Sequence, residues 1–117
     1  MTAMQIATYI LFHEELCKRR CNKLRLQVLL CSIWRESIKS FGQAIFEESP
    51  IETSEGFQVV SVAKEYEAYS CLQDLCDKKS KSEYQHGEKQ KLPYLSAEKI
   101  KLINDILDDN AKALQDA

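Results

Sequence analysis

The sequence predicts an all-α fold, a bundle of three to four helices with a charged loop before the last one. Three observations carry that reading. The first 48 residues contain no proline, and their first glycine is Gly42. Apolar residues recur there and downstream at the three-to-four spacing of a helix face. Only three glycines and two prolines punctuate 117 residues, fewer than the frequent turns of a many-stranded β fold require.

The elements follow in order. Met4, Ala7, Ile10 and Leu11 mark a first helix over residues 3–19, and Cys17, Cys21, Leu24, Val28 and Cys31 continue the spacing. A single helix through residue 48 would be unusually long for a small domain. The polar run KRRCNK, Lys18 to Lys23, is the natural break, with Asn22 the candidate for a left-handed turn. A second helix is expected over residues 23–48, stopped by Pro50. Its segment LQVLLCSIWRESI places Leu26, Leu29, Leu30, Ile33 and Trp34 beside Val28, Cys31 and Ile38, so apolar groups cover most of the circumference. Such a helix is expected at the centre of the bundle with the Trp34 rings in its core.

SPIETSEGF, Ser49 to Phe57, reads as a linker. Val59, Val62, Ala63, Tyr66, Tyr69, Leu72 and Cys76 then keep one face of a third helix apolar over residues 58–78. Residues 79–94 are charged, poor in apolar groups and read as a flexible loop. Ser96 is placed to cap a fourth helix over residues 96–115, with Glu98 in its first turn and Ile100, Ile103, Leu107, Ala111 and Leu114 as its stripe. The organisation expected is a three-helix core in residues 1–78, the loop, and a C-terminal helix in 95–117 that packs on the bundle or extends from it.

Composition narrows the function classes. Sixteen basic and eighteen acidic residues give a net charge of −2, which argues against nucleic acid as a partner. Five cysteines, Cys17, Cys21, Cys31, Cys71 and Cys76, form an odd set without a CxxC pair, which points to free thiols and a cytoplasmic location. The N-terminal apolar patch ends at His13 and Glu14, too short for a transmembrane segment.

No catalytic constellation is legible, and a non-enzyme without a cofactor is expected. Two histidines, His13 and His86, offer no base beside a nucleophile, and the doublets Glu14/Glu15, Glu47/Glu48 and Asp108/Asp109 read as helix ends or solvated faces. His13, Cys17 and Cys21 are the candidate metal ligands, at i, i+4 and i+8. The outer two lie about 12 Å apart along a helix axis, so core packing of the thiols is the favoured reading. Lys18, Arg19, Arg20, Lys23 and Arg25 form a basic corner that could meet an acidic partner, anionic lipid or RNA, although a solvated corner partly neutralised by Glu14 and Glu15 is the favoured reading.

The stretch MQIATYILFHEELCKRRCNKLRLQVLLCSIWRESIKSFGQAIFEESP, with QVLLCSIWRESI at its centre, resembles the start of the C-terminal regulatory region of plant autophagy-initiating ULK-type Ser/Thr kinases. VVSVAKEYEAYSCLQDLCDKK resembles the third helix of that region. The resemblance spans Met4 to Lys78 and implies an MIT-like helical bundle that docks a partner through helix-in-groove contacts. There is no kinase domain, so phosphoryl transfer is not implied. The expected function is therefore a helical protein-interaction module, with Trp34, Ile38, Tyr66 and Tyr69 at the central packing and groove floor. Two alternatives stay open: a small accessory or pathogen-encoded helical factor, a chaperone or inhibitor acting as a dimer, and a His/Cys metal- or thiol-dependent regulator. The oligomeric state is not fixed by the sequence.

Overall fold

Thr2 opens the fold with a reciprocal pair of cap bonds. In the computed structural model, which describes residues 2–19, 21–54, 56–67 and 95–115, the Thr2 hydroxyl accepts from the Gln5 backbone N–H at 3.2 Å. Gln5 Oε1 accepts from the Thr2 N–H at 2.9 Å in return. Helix α1 (Ala3–Leu16) follows and buries Ala3, Ile6, Ala7, Ile10 and Leu11 on one side.

Helix α1 ends at Leu16, three residues earlier than residue 19, and the turn that follows occupies the start of the polar run. Lys18 takes the left-handed conformation at φ 56°. Arg19 N–H donates to the Glu14 carbonyl at 2.8 Å and Lys18 N–H to Glu15 at 3.0 Å, which satisfies the last carbonyls of the helix. Asn22, expected to be left-handed, is instead extended at φ −89° and caps the next helix, its side-chain oxygen accepting from Arg25 N–H at 2.7 Å.

Helix α2 (Lys23–Phe41) ends at Gly42, not near Pro50. Gly42 adopts φ 78° at no steric cost and its N–H closes on the Ile38 carbonyl at 2.9 Å. The chain can then fold back. Ile45 and Phe46 enter the core, and Ile45 N–H donates to the fully buried Ser37 hydroxyl at 3.2 Å. Glu48 reaches the start of α1, where its carboxylate accepts from Ala3 N–H at 3.1 Å and from the Ser61 hydroxyl at 2.9 Å.

The expected linker contains a two-stranded hairpin, so the fold is mostly helical with a small sheet. Strand β1 (Ile51–Thr53) runs antiparallel to β2 (Gly56–Gln58), pairing Ile51 with Gln58, Glu52 with Phe57 and Thr53 with Gly56. Helix α3 (Val60–Glu67) starts two residues later than expected because Gln58 belongs to the strand. The rest of the expected third helix, the charged loop at 79–94, and Cys71, Cys76 and His86 lie outside the described residues. Helix α4 (Ala97–Gln115) starts where its cap was read: Lys99 N–H donates to the Ser96 hydroxyl at 3.4 Å and Ile100 N–H to the Ser96 carbonyl at 3.1 Å.

Helix α2 is the centre, touching α1, α4 and β2, while α3 packs on α1. Ile103 and Leu107 of α4 are fully buried in the same core as Ile6, Leu29 and Leu30, so the C-terminal helix packs on the bundle. Gln27 ties α2 to the strand side of the fold. Its side-chain amide pairs with Val59 in both directions, accepting from the N–H at 2.8 Å and donating to the carbonyl at 3.3 Å, and it donates to Tyr66 Oη at 3.2 Å. Among the described residues no helix is long and apolar enough to cross a membrane.

Candidate functional site

Helix α2 has two apolar faces. Leu26, Leu29, Leu30 and Ile33 point to the core and are fully buried, with Ser37 beside them. At about 100° per residue, Leu24, Val28, Cys31, Arg35 and Ile38 fall within an arc of about 80° on the opposite side. Leu24 is 66% exposed, Val28 45% and Ile38 38%. An outward stripe of large apolar side chains along a structured helix is the exception on a protein surface, and it marks an interaction face more often than a scattered leucine does.

The hairpin walls this stripe on one flank. Phe57, 60% exposed, stands beside it, and the Cys31 thiol donates to the Phe57 carbonyl at 3.5 Å. Between them lies a cleft of about 220 Å³ lined by Leu24, Val28, Cys31, Arg35 and Phe57, among others. Burial pushes the Cys31 thiol up from its ordinary value, and the nearby Arg35 charge opposes it. A neutral thiol at the floor of the cleft behaves as a small apolar group.

A second cleft, of about 470 Å³, runs between α2 and α4 and has a different character. Leu102 and Ile106 are half-buried in it, and Glu36, Asp105 and Asp109 stand in its wall. Among the described residues no group of three His, Cys, Asp or Glu side chains is disposed to hold a metal ion.

The expected groove residues separate. Tyr66 is buried, bonded to Gln27, with Lys23 Nζ 5.3 Å from its ring centroid, so it packs inside the fold. Trp34 is half-buried on the shoulder of α2, against the core but not within it, and this corrects the deep position read for it. Ile38 lies on the outward stripe. Tyr69 lies outside the described residues.

The basic corner turns largely inward. Glu14, read as a solvated carboxylate, is 1% exposed, and Arg19 Nε meets it at 2.5 Å and Arg25 Nη2 at 3.1 Å. Arg19 also reaches Asp108 at 3.1 Å, and Arg25 Nε donates to Asn110 Oδ1 at 2.9 Å, so the cluster bolts the α1–α2 turn to α4. The hydrogen bond to Glu14 holds the Arg19 proton above its ordinary value, with burial opposing. Burial of Asp108 acts to raise its carboxyl, but the bonds and charges of Arg19 and His13 outweigh it and lower it below the ordinary value. Lys18 remains exposed, Lys23 covers Tyr66, and Arg20 lies outside the described residues.

The candidate ligands are only partly gathered. Cys17 Sγ lies 3.7 Å from His13 Nε2, which is also 3.6 Å from Asp108. Cys21 is half-buried past the turn, its thiol 3.8 Å from the Asn22 carbonyl. Burial pushes that thiol up to about 11, with the Arg25 charge opposing, which favours the protonated form over a metal-binding thiolate.

The outward stripe was visible in the sequence as a spacing, Leu24–Cys31–Ile38 at seven and Val28–Arg35 at seven, though not as a surface. Phe57 had no such signal, because its segment read as a linker. No family model matches the sequence, and no curated protein or solved structure matches it.

Proposed function

We propose that the chain is a non-catalytic helical interaction module that docks an amphipathic partner helix along the outward face of α2, beside the hairpin. One observation carries the reading: α2 holds a second apolar stripe directly opposite its core face, exposed over about 21 Å of helix. A partner helix anchored at i, i+3/i+4 and i+7 matches that spacing. The cleft beside Phe57 gives the partner a side wall. A cytoplasmic setting accords with the free thiols of Cys17, Cys21 and Cys31. The likeness of QVLLCSIWRESI to the MIT-type tail of autophagy-initiating kinases supports the same class of contact and nominates that machinery as the source of the partner.

Affinity capture with mass spectrometry, run on the wild type and on a Leu24→Asp/Val28→Asp variant, tests the reading. Partners held by this face drop out with the variant while circular dichroism shows the fold retained. Identical partner sets from the two proteins defeat the proposal. Autophagy-kinase components among the lost partners support the narrower assignment, and their absence there removes it.

A further inference from the structure

The outward stripe of α2 has the geometry of a coiled-coil seam. Leu24, Cys31 and Ile38 recur every seven residues, and Val28 and Arg35 recur every seven between them, four residues after one and three before the next. These are the d and a positions of a heptad, the spacing that keeps two helices in register along a shared line. Four of the five positions are apolar, and the fifth is a guanidinium.

Arg35 is the informative member. It is exposed, and among the described residues it has no ion pair and no hydrogen-bond partner. Among the described residues it is also the only charged side chain lining the cleft beside Phe57. The cleft between α2 and α4 is the reverse, its lining among the described residues holding three carboxylates and no cation. A helix laid along the α2 seam strips water from Arg35. If the partner supplies only apolar groups there, the guanidinium is left desolvated and unpaired, which opposes binding. A lysine at that layer adds like-charge repulsion. A carboxylate meets the fork of the guanidinium with two hydrogen bonds and fixes the register at the same time.

We infer that the α2 seam selects an amphipathic helix of about four turns that carries aspartate or glutamate in the layer facing Arg35. This rests on the docking role proposed above. A second copy of the chain fits less well. Parallel pairing in register sets Arg35 against its own equivalent. Antiparallel pairing sets a against d positions, so Arg35 meets Leu24, Cys31 or Ile38 of the copy, none of them acidic.

The test uses the full chain and synthetic helical peptides about three heptads long, with leucine and isoleucine in the seam. The central seam position is glutamate, lysine or leucine, and binding is read by fluorescence anisotropy. The wild type binds the glutamate peptide at least about tenfold tighter than the lysine peptide, and the margin shrinks as salt is raised. Arg35→Glu reverses the order, and Arg35→Leu binds the leucine peptide best. Circular dichroism checks that each variant keeps its helices, as an exposed position should allow. Equal affinity of the wild type for glutamate and lysine peptides, or an order unchanged in Arg35→Glu, overturns the charge rule. The docking role then survives if Val28→Asp still abolishes binding. No binding of any peptide to the wild type overturns both. A wild-type dimer in sedimentation that Val28→Asp converts to monomer overturns the inference in favour of self-association.

Discussion

The inner and outer faces of α2 are made from the same residue types and meet opposite surroundings. Leu26, Leu29, Leu30 and Ile33 are fully buried, whereas Leu24 and Val28, one turn or less away, are 66% and 45% exposed. The charges divide in the same way. On the core side, Arg25 is drawn down to the buried Glu14 together with Arg19; on the outer side, Arg35 has no ion pair among the described residues. The difference teaches that a helix's own pattern supplies two candidate faces, and its neighbours decide which becomes core. Here α1 and α4 close one side, and the hairpin only flanks the other.

The largest expected effect tests the charged half of that contrast. Glu14→Gln keeps the side-chain shape but leaves two guanidinium groups facing an uncharged amide in a site 1% exposed. Breaking a buried pair on one side costs about 3–5 kcal/mol, so the urea midpoint should fall steeply. The change Arg35→Gln on the outer face should leave that midpoint where it was. Equal shifts for the two would show that the inner cluster is no more buried than the outer arginine.

Next comes the apolar half. Ile33→Ala removes a fully buried side chain from the point where α2 faces the core, and such truncations cost about 2–5 kcal/mol. Chemical denaturation of the variant gives the value directly. A cost under about 1 kcal/mol would mean that the inner face is loosely packed and that the contrast between the faces is one of degree.

Much of the local structure was legible because its causes are local. The Ser96 cap, the polar break between the first two helices and the helical stripes all follow from residues within a turn or two of one another. The stop at Gly42 is equally local, but Pro50 drew the boundary seven residues too far, to residue 48 where α2 ends at Phe41. Gly42 alone has the φ freedom that lets Ile45 and Phe46 fold back onto the core. The hairpin was hidden because Pro50 and Gly56 read as loop punctuation, and its register depends on cross-strand pairing that no helix or strand period in SPIETSEGF announces. Glu14 shows the deeper limit. Beside Glu15 it reads as one of two solvated carboxylates, and only the meeting of Arg19 from the α1–α2 turn, Arg25 from α2 and Asp108 from α4 makes it the centre of a buried cluster. The site was half legible for the same reason: the heptad spacing lies in the sequence, whereas its exposure depends on where α1 and α4 pack.

Cys21 offers a smaller effect, read through pH. Its thiol sits at the edge of the core near Arg25, and burial raises it from 9.0 to about 11. The folded chain therefore holds this proton more tightly than the unfolded chain. The associated stability is complete below pH 9.0 and is lost as pH climbs from there through about 11, amounting to about 2 kcal/mol. Urea denaturation repeated between pH 8 and pH 11 should show the decline in the wild type and a flatter profile in Cys21→Ala. Parallel profiles would place the thiol in water, outside the inner environment.

The smallest expected effect is the most discriminating for the two faces. Val28→Asp puts a charge on the outward stripe, in a helix interior where valine and aspartate have similar intrinsic propensities. The side chain is 45% exposed and points away from Leu29 and Leu30, so the new carboxylate stays hydrated and no cavity forms. Arg35 lies seven residues further along the same stripe and offers it weak long-range attraction rather than repulsion. The stability change should fall within about 0.5 kcal/mol, against several for Ile33→Ala on the same helix. Thermal melts of the two variants, measured side by side with the wild type, make the comparison. Should Val28→Asp unfold the chain as readily as Ile33→Ala does, the outward stripe is packed in the free protein, and no open seam remains for a partner helix to occupy.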